Sequence, residues 1–136
     1  MFLTPLLNRP GDYRLHNERD GTLVAGHVEV AADSKSRRRG LLGRDRMAPG
    51  AALVIAPCGG IHTFWMRFSI DVLFVKKDGR VVKCVDSIPP WRVALAVTAY
   101  AAIELPAGTI RLSKVRPGDR LAVVPAGASS DGAGVA

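Results

Sequence analysis

Short apolar runs, separated by glycine, proline and Asp-Gly pairs, dominate the pattern of hydrophobic and polar positions along the chain. In one run Val24, Val28 and Val30 fall on the same side of an extended backbone by a period of two. Runs of this length are typical of strands, and an Asp-Gly pair between two runs is typical of a tight hairpin. The pattern therefore predicts hairpins at Asp20-Gly21 and Asp78-Gly79. It predicts strands over residues 13–16, 22–30, 51–56, 70–76, 80–87 and 120–125, and a further extended segment over 63–68.

Helix signals are few and short. Asp33 is a favoured N-cap residue and precedes residues 34–42, for which Gly43 is the candidate end. Residues 109–114 fit a single helical turn. Residues 94–104 stay ambiguous, because their alanines favour a helix whereas their β-branched residues allow a strand.

Strands joined by turns, with one or two short helices, predict a mainly β (α+β) fold, in the form of a small twisted antiparallel barrel or sandwich. The 136 residues suffice for one hydrophobic core, and 48% of them are apolar. We expect an N-terminal arm over residues 1–11, a single β-rich domain over 12–125 and a flexible tail over 126–136.

The charge pattern limits the classes of partner. A net charge of +7 is compatible with nucleic acid, an anionic membrane surface or an acidic partner. The densest basic run covers residues 35–39, but no zinc-finger spacing, helix-turn-helix pattern or aromatic-basic RNA motif accompanies it. The sequence therefore argues against nucleic acid binding and favours a solvated basic face with one or two anion contacts.

No apolar run approaches the length of a membrane span, and the first ten residues are too interrupted for the hydrophobic part of a signal peptide. As written, the chain predicts a soluble cytoplasmic protein, or a periplasmic one if a leader has been removed. Two cysteines, Cys58 and Cys84, make no disulfide framework and no Cys-x-x-Cys motif. We expect a monomer or a weak dimer.

The richest chemistry lies between residues 58 and 71. Cys58, His62 and Met66 together suit a soft metal such as copper. The same stretch suits a hydrolase or transferase, with Cys58 as the nucleophile, His62 as the group that activates it and Asp71 orienting the imidazole of His62. A third interpretation is structural, with Cys58 and Met66 in the core and His62 bonded to a loop carbonyl.

A binding module is the leading functional hypothesis. Its groove, around residues 58–71, would hold a small acidic ligand or an extended peptide segment. Arg39 and Arg44 would clamp a carboxylate or phosphate, and Glu104 is an acid in an apolar run, a placement that often shifts a pKa. Trp91 is a further candidate for the groove wall. No cofactor is indicated. The candidate ligand-binding residues are Arg39, Arg44, His62, Trp65, Met66, Asp71 and Glu104.

Five motifs in order resemble those of one family. Residues 39–44 read Arg-Gly-Leu-Leu-Gly-Arg, similar to an Arg-Gly-Leu-Met-x-Arg motif. Residues 62–66 and 70–75 are similar to a Phe-Trp-Met segment followed by Leu-Asp-Ile-Leu-Phe. Asp78-Gly79, the Glu-Leu-Pro-Ala-Gly of 104–108 and the Pro-Gly-Asp of 117–119 complete the set. The chain resembles domain-of-unknown-function family 192, also called uncharacterised protein family 0127, of bacteria and archaea.

The resemblance covers about residues 26–124 and implies a compact, mainly antiparallel β fold with short helices. It implies no reaction, because none is established for the family. The shared part includes Trp65, Met66 and Asp71, whereas the Cys-Gly-Gly-Ile-His stretch that holds Cys58 and His62 looks like a local variation. Many family members carry export signals, which this sequence as written does not show.

Overall fold

A five-stranded sheet forms the centre of the molecule. The computed structural model describes residues 1–4 and 11–126. Its elements are β1 (Tyr13–Asn17), β2 (Leu23–Ala25), β3 (His27–Ala31), α1 (Ser34–Arg39), β4 (Ala51–Ile55), β5 (Gly60–His62), β6 (Ile70–Val75), β7 (Val81–Ile88), β8 (Val93–Leu95), β9 (Ala101–Pro106), α2 (Thr109–Ser113) and β10 (Leu121–Pro125).

The central sheet has the strand order β3-β4-β9-β6-β7. Strands β3 and β4 are parallel, and the other neighbours are antiparallel. A second sheet has the order β10-β1-β2, and β5 pairs with β8 as a two-stranded ribbon. The mainly β class predicted from the sequence is confirmed. Within the described residues the sheets are open and do not close into a barrel.

The central sheet is buried on both faces. Strand β6 is buried along its whole length, as is β9 except for its last residue. Alternation along β9 sends Ala102 to one apolar cluster and Ile103 to the other. Glu104 therefore falls on the face of Ala102, where the surrounding cluster is apolar. This placement of an acid in the middle of a buried sheet positions the candidate site.

The predicted strand over residues 22–30 is wrong as one element. It breaks at Gly26 into β2 and β3, which belong to different sheets. The backbone amides of Gly26 and His27 both donate to the carbonyl oxygen of Gly50. This shared acceptor turns the chain away from β1 and towards β4, a contact that the local period does not reveal.

Two further predictions need correction. The helix after Asp33 ends at Arg39 and not at Leu42, because Gly40, with φ 47°, leaves the helical conformation before Gly43 does. Residues 63–68 form turns and are not extended, since the Met66 amide donates to the Thr63 carbonyl oxygen.

The ambiguous segment at 94–104 divides between the end of β8 and most of β9, with no helix. The hairpins at Asp20-Gly21 and Asp78-Gly79, the helical turn α2 and the last strand β10 are found where they were predicted. Most of the predicted arm (residues 5–10) and the tail from residue 127 lie outside the described residues, so the domain boundaries stay a prediction. No helix in the described part of the chain is long and apolar enough to cross a membrane.

Candidate ligand-binding site

Residues of α1, β4, β5 and β9 surround a cavity of about 330 Å³, which we name the α1 cavity. The three arginines of α1 and the buried acid Glu104 all line this cavity. Of the candidate binding residues, the cavity brings together Arg39, His62, Met66 and Glu104. Its other wall residues are Arg37, Arg38, Gly40, Leu41, Leu42, Ile55, Cys58, Gly60 and Ile61.

Glu104 is the least expected feature of this wall. Only 3% of the residue is exposed, and its Oε1 atom has no hydrogen-bond partner in the described structure. Burial raises the pKa of the Glu104 carboxyl to about 7, against a smaller opposing effect of the Arg44 charge. Buried acids are normally paired or hydrogen-bonded. An unpartnered one on a cavity wall is therefore a candidate contact for a ligand.

Helix α1 carries the arginines and is fixed at both ends. At its start, Asp33 Oδ1 accepts a hydrogen bond from the Ser36 amide at 2.8 Å. At its end, the Gly40 amide donates to the Ser36 carbonyl oxygen. Positive side chains in the last turn also suit the negative end of the helix dipole. The cap and the glycine together place three consecutive arginines at the cavity.

The arginines of α1 differ in how firmly they are held. Arg37 is half-buried as a residue, and its guanidinium donates to the Ala32 carbonyl oxygen at 2.6 Å in an exposed hydrogen bond. Arg38 and Arg39 are exposed, and across residues 1–4 and 11–126 their side chains make no hydrogen bond or ion pair. Two cationic groups are thus available to an anion. The sequence predicts an anion contact for Arg39. For Arg37 and Arg38, the basic run over residues 35–39 is the feature that could have indicated one.

We expect Asp33→Ala to lower the free energy of unfolding measurably, because the Ser36 amide loses its acceptor. Urea denaturation measures this change. Asp33→Asn should stay close to the wild-type value, since asparagine caps a helix about as well as aspartate. An Asp33→Ala variant as stable as the wild type would show that the cap contributes nothing to α1.

Cys58 lies on the cavity wall as a thiol. Its Sγ donates to the Gly60 carbonyl oxygen at 2.9 Å, and burial raises its pKa. No hydrogen bond joins Cys58 to His62 in the described part of the chain. Because a thiol with a raised pKa is a poor nucleophile, the geometry gives no support to the Cys-His hydrolase or transferase hypothesis.

The soft-metal hypothesis gains no support either. Among the described residues, no three His, Cys, Asp or Glu side chains come close enough to hold a metal ion. Cys58, His62 and Met66 do share the wall of the α1 cavity, but Cys58 is bonded to a backbone carbonyl and Met66 is buried in the apolar cluster. Their role as metal ligands stays a prediction.

Three candidate binding residues lie away from the cavity wall. Asp71 is fully buried and accepts hydrogen bonds at 2.8 Å from the amides of Ser87 and Ile110. Arg44 pairs with Glu29 at 3.2 Å. Trp65 is 71% exposed. Asp71 is thus already bonded to backbone amides of the fold, and Arg44 is already bonded in a surface ion pair.

Exposed aromatic rings continue from the cavity wall across the surface. His62 stacks on Phe64 with ring centroids 5.0 Å apart, Phe64 lies 5.9 Å from Trp91, and Trp91 lies 4.6 Å from Trp65. We name these four side chains the aromatic ladder. Both tryptophans have a φ of 68°, in the left-handed region that bulky residues rarely adopt. Trp65 and Trp91, which the sequence nominates for the predicted groove, both belong to this ladder.

Comparison with known proteins places the chain in an uncharacterised family. Residues 15–123 match the model of the DUF192 family, described as "Uncharacterized ACR". A UPF0127 protein of Pyrococcus abyssi is 35% identical over 112 residues, which cover 77% of this chain and 92% of that protein.

Two solved structures share the fold, each with a TM-score of 0.69. One is a candidate transcription regulator from Sinorhizobium meliloti, 25% identical, with 84% of this chain and 96% of that chain covered. The other is a protein of unknown function from Novosphingobium aromaticivorans, 18% identical, with 81% and 82% covered. The family match spans most of the described structure, including every strand of the central sheet. This chain belongs to the DUF192 family.

Proposed function

We propose that this protein is a binding module whose α1 cavity takes a small organic ligand with an anionic end and an apolar body. The observation that carries the proposal is the Glu104 carboxyl, buried on the cavity wall with Oε1 unpartnered. Leaving a buried polar atom without a partner costs about 1–3 kcal/mol. A ligand that supplies the missing partner would recover that free energy on binding.

The walls of the α1 cavity support an apolar ligand body. Leu41, Ile61 and Met66 are buried there, and Ile55 adds a further branched side chain. A volume of about 330 Å³ is at the small end of the range for ligand pockets. It fits a compound of a few carbon atoms better than a cofactor.

The arginines of α1 support the anionic end. Arg38 and Arg39 are exposed, and no acidic group of the described chain pairs with them. Guanidinium groups bind carboxylates through two parallel hydrogen bonds. The net charge of +7 adds a long-range attraction for anions, which salt weakens.

We expect isocaproate, a short branched carboxylate, to bind in the cavity and to lose about tenfold in affinity when Arg38 and Arg39 are both changed to Gln. Amide chemical shifts of Gly40, Gly60 and Ile61 in a titration followed by NMR report the binding. The matched control is Arg80→Gln with Arg111→Gln, which removes the same charge from exposed arginines outside the cavity.

Two results would contradict the proposal. One is an isocaproate titration that moves none of the cavity amides. The other is an equal loss of affinity in both double variants, which would mean that net charge alone attracts the anion.

A peptide segment is the second candidate ligand, and the aromatic ladder favours it. The ladder begins at His62 on the cavity wall and leads to Trp65 and Trp91 on the surface. An extended chain anchored in the cavity would cross these rings. Tryptophan fluorescence in the same kind of titration separates the two cases, because only a ligand that reaches the ladder changes it.

A further inference from the structure

We infer that the ligand of the α1 cavity is a small zwitterion, an apolar α-amino acid, whose ammonium group pairs with Glu104 while its carboxylate contacts the arginines of α1. This inference rests on the proposed function and specifies its ligand class. Two exposed arginines, Arg38 and Arg39, and one buried acid, Glu104, line the same cavity.

Glu104 has no counter-ion among residues 1–4 and 11–126. Arg44 is the cation whose charge acts on Glu104, but its guanidinium is bonded to Glu29 at 3.2 and 3.3 Å. No ion pair to Glu104 is found among the described residues. A charged carboxyl this deeply buried is stable only when it is paired, so the structure leaves a place for an external cation.

A ligand that is only a cation does not fit this site. Arg37, Arg38 and Arg39 line the same cavity and would repel it. A ligand that is only an anion fits the arginines but meets the Glu104 carboxyl inside. A molecule with both charges meets an opposite charge at each place.

The spacing of the two charges is short. A Cβ atom built on Gly40 would lie 3.9 Å from Glu104 Oε1 and 3.8 Å from Ile55 Cδ1. Because Gly40 directly follows Arg39, the acid lies next to the end of the helix that carries the arginines. An α-amino acid has its two charged groups on one carbon, which suits this proximity, and its side chain would lie against Ile61 and Met66.

Such a ligand can shift the ionisation equilibrium of the Glu104 carboxyl. With a pKa of about 7, the carboxyl is about half ionised at neutral pH, and an ammonium group beside it favours the ionised form. Binding of the zwitterion at pH 7 therefore releases a fraction of a proton from Glu104. Binding of a simple carboxylate has the opposite sign, since a second anion favours the protonated acid.

The experiment compares leucine with isocaproate, which lacks its amine, and isoamylamine, which lacks its carboxylate, by calorimetry in two buffers of different ionisation enthalpy. We expect leucine to bind at least about tenfold more tightly than either analogue and to release protons. In Glu104→Gln, leucine and isocaproate should bind within about twofold of each other, with no proton release. Glu18→Gln, which neutralises an exposed acid, should match the wild type.

The outcomes separate this inference from the proposed function. If isocaproate binds as tightly as leucine, or if leucine binding takes up protons, the zwitterion is wrong and the anion-binding function stands. If neither compound binds, both are wrong. If Glu104→Gln keeps the preference for leucine, the ammonium group does not contact Glu104 and the inference fails.

Discussion

Asp71→Ala is expected to lower the free energy of unfolding by about 4 kcal/mol. Asp71 Oδ1 accepts a hydrogen bond from the Ser87 amide, and Oδ2 accepts one from the Ile110 amide, both at 2.8 Å. The carboxylate thereby ties β6 to the end of β7 and to the start of α2. Alanine would leave both amides without their acceptor, at a cost of about 1–3 kcal/mol each. Chemical denaturation measures the loss.

Two variants test whether this loss comes from the two hydrogen bonds. Asp71→Asn keeps one acceptor oxygen and should lose about half as much stability. Asp86→Ala removes an exposed acid from the neighbouring strand, where it accepts only from the Ser87 hydroxyl, and should cost well under about 1 kcal/mol. A fully stable Asp71→Ala protein that loses only ligand binding would restore Asp71 as a binding residue.

Local signals explain which parts of the fold could be predicted from the sequence. The hairpin between β6 and β7 follows from Asp78-Gly79 and the alternating residues around it. The local sequence does not predict the parallel pairing of β3 with β4. This pairing depends on the hydrogen bond from the Gly26 amide to the Gly50 carbonyl oxygen, between residues twenty-four positions apart. Pairing of distant segments is set by the whole core and not by the period of one strand.

The candidate site, like the fold, is only partly predictable from the sequence. The chemistry of Arg39, His62, Met66 and Glu104 predicts a common site, and the cavity brings these four residues together. The sequence predicts Trp65 in the same site, but its left-handed backbone turns the side chain out to the surface. A residue in that conformation breaks the alternation from which the direction of a side chain is inferred.

The two buried acids, Asp71 and Glu104, show most clearly what the sequence alone does not predict. Asp71 and Glu104 both lie in apolar runs of the sequence and both are buried. The amides of Ser87 and Ile110 satisfy the carboxylate of Asp71, whereas Oε1 of Glu104 is left unpartnered at a cavity. The difference comes from distant backbone groups, so the sequence could nominate both acids but could not separate a structural one from one that faces a ligand site.

Burial of Glu104 makes the free energy of unfolding depend on pH. Its pKa rises from 4.5 to about 7 in the folded state, so between these values the folded protein binds more protons than the unfolded chain. The free energy of unfolding must then fall as the pH rises through this window. The difference between the two pKa values corresponds to a loss of about 3 kcal/mol in the free energy of unfolding. This loss is absent below the lower pKa and complete above the upper one.

We therefore expect Glu104→Gln to gain about 3 kcal/mol relative to the wild type as the pH is raised from about 4 to about 8. Urea denaturation of both proteins at each pH gives this difference. Because the two proteins share every other side chain of the cavity, the contributions of those side chains largely cancel. The matched control is Glu18→Gln, which makes the same substitution at an exposed residue outside the cavity. A constant difference between Glu104→Gln and the wild type would mean that the carboxyl has found a partner in solution, and the cavity would then offer no unpaired acid to a ligand.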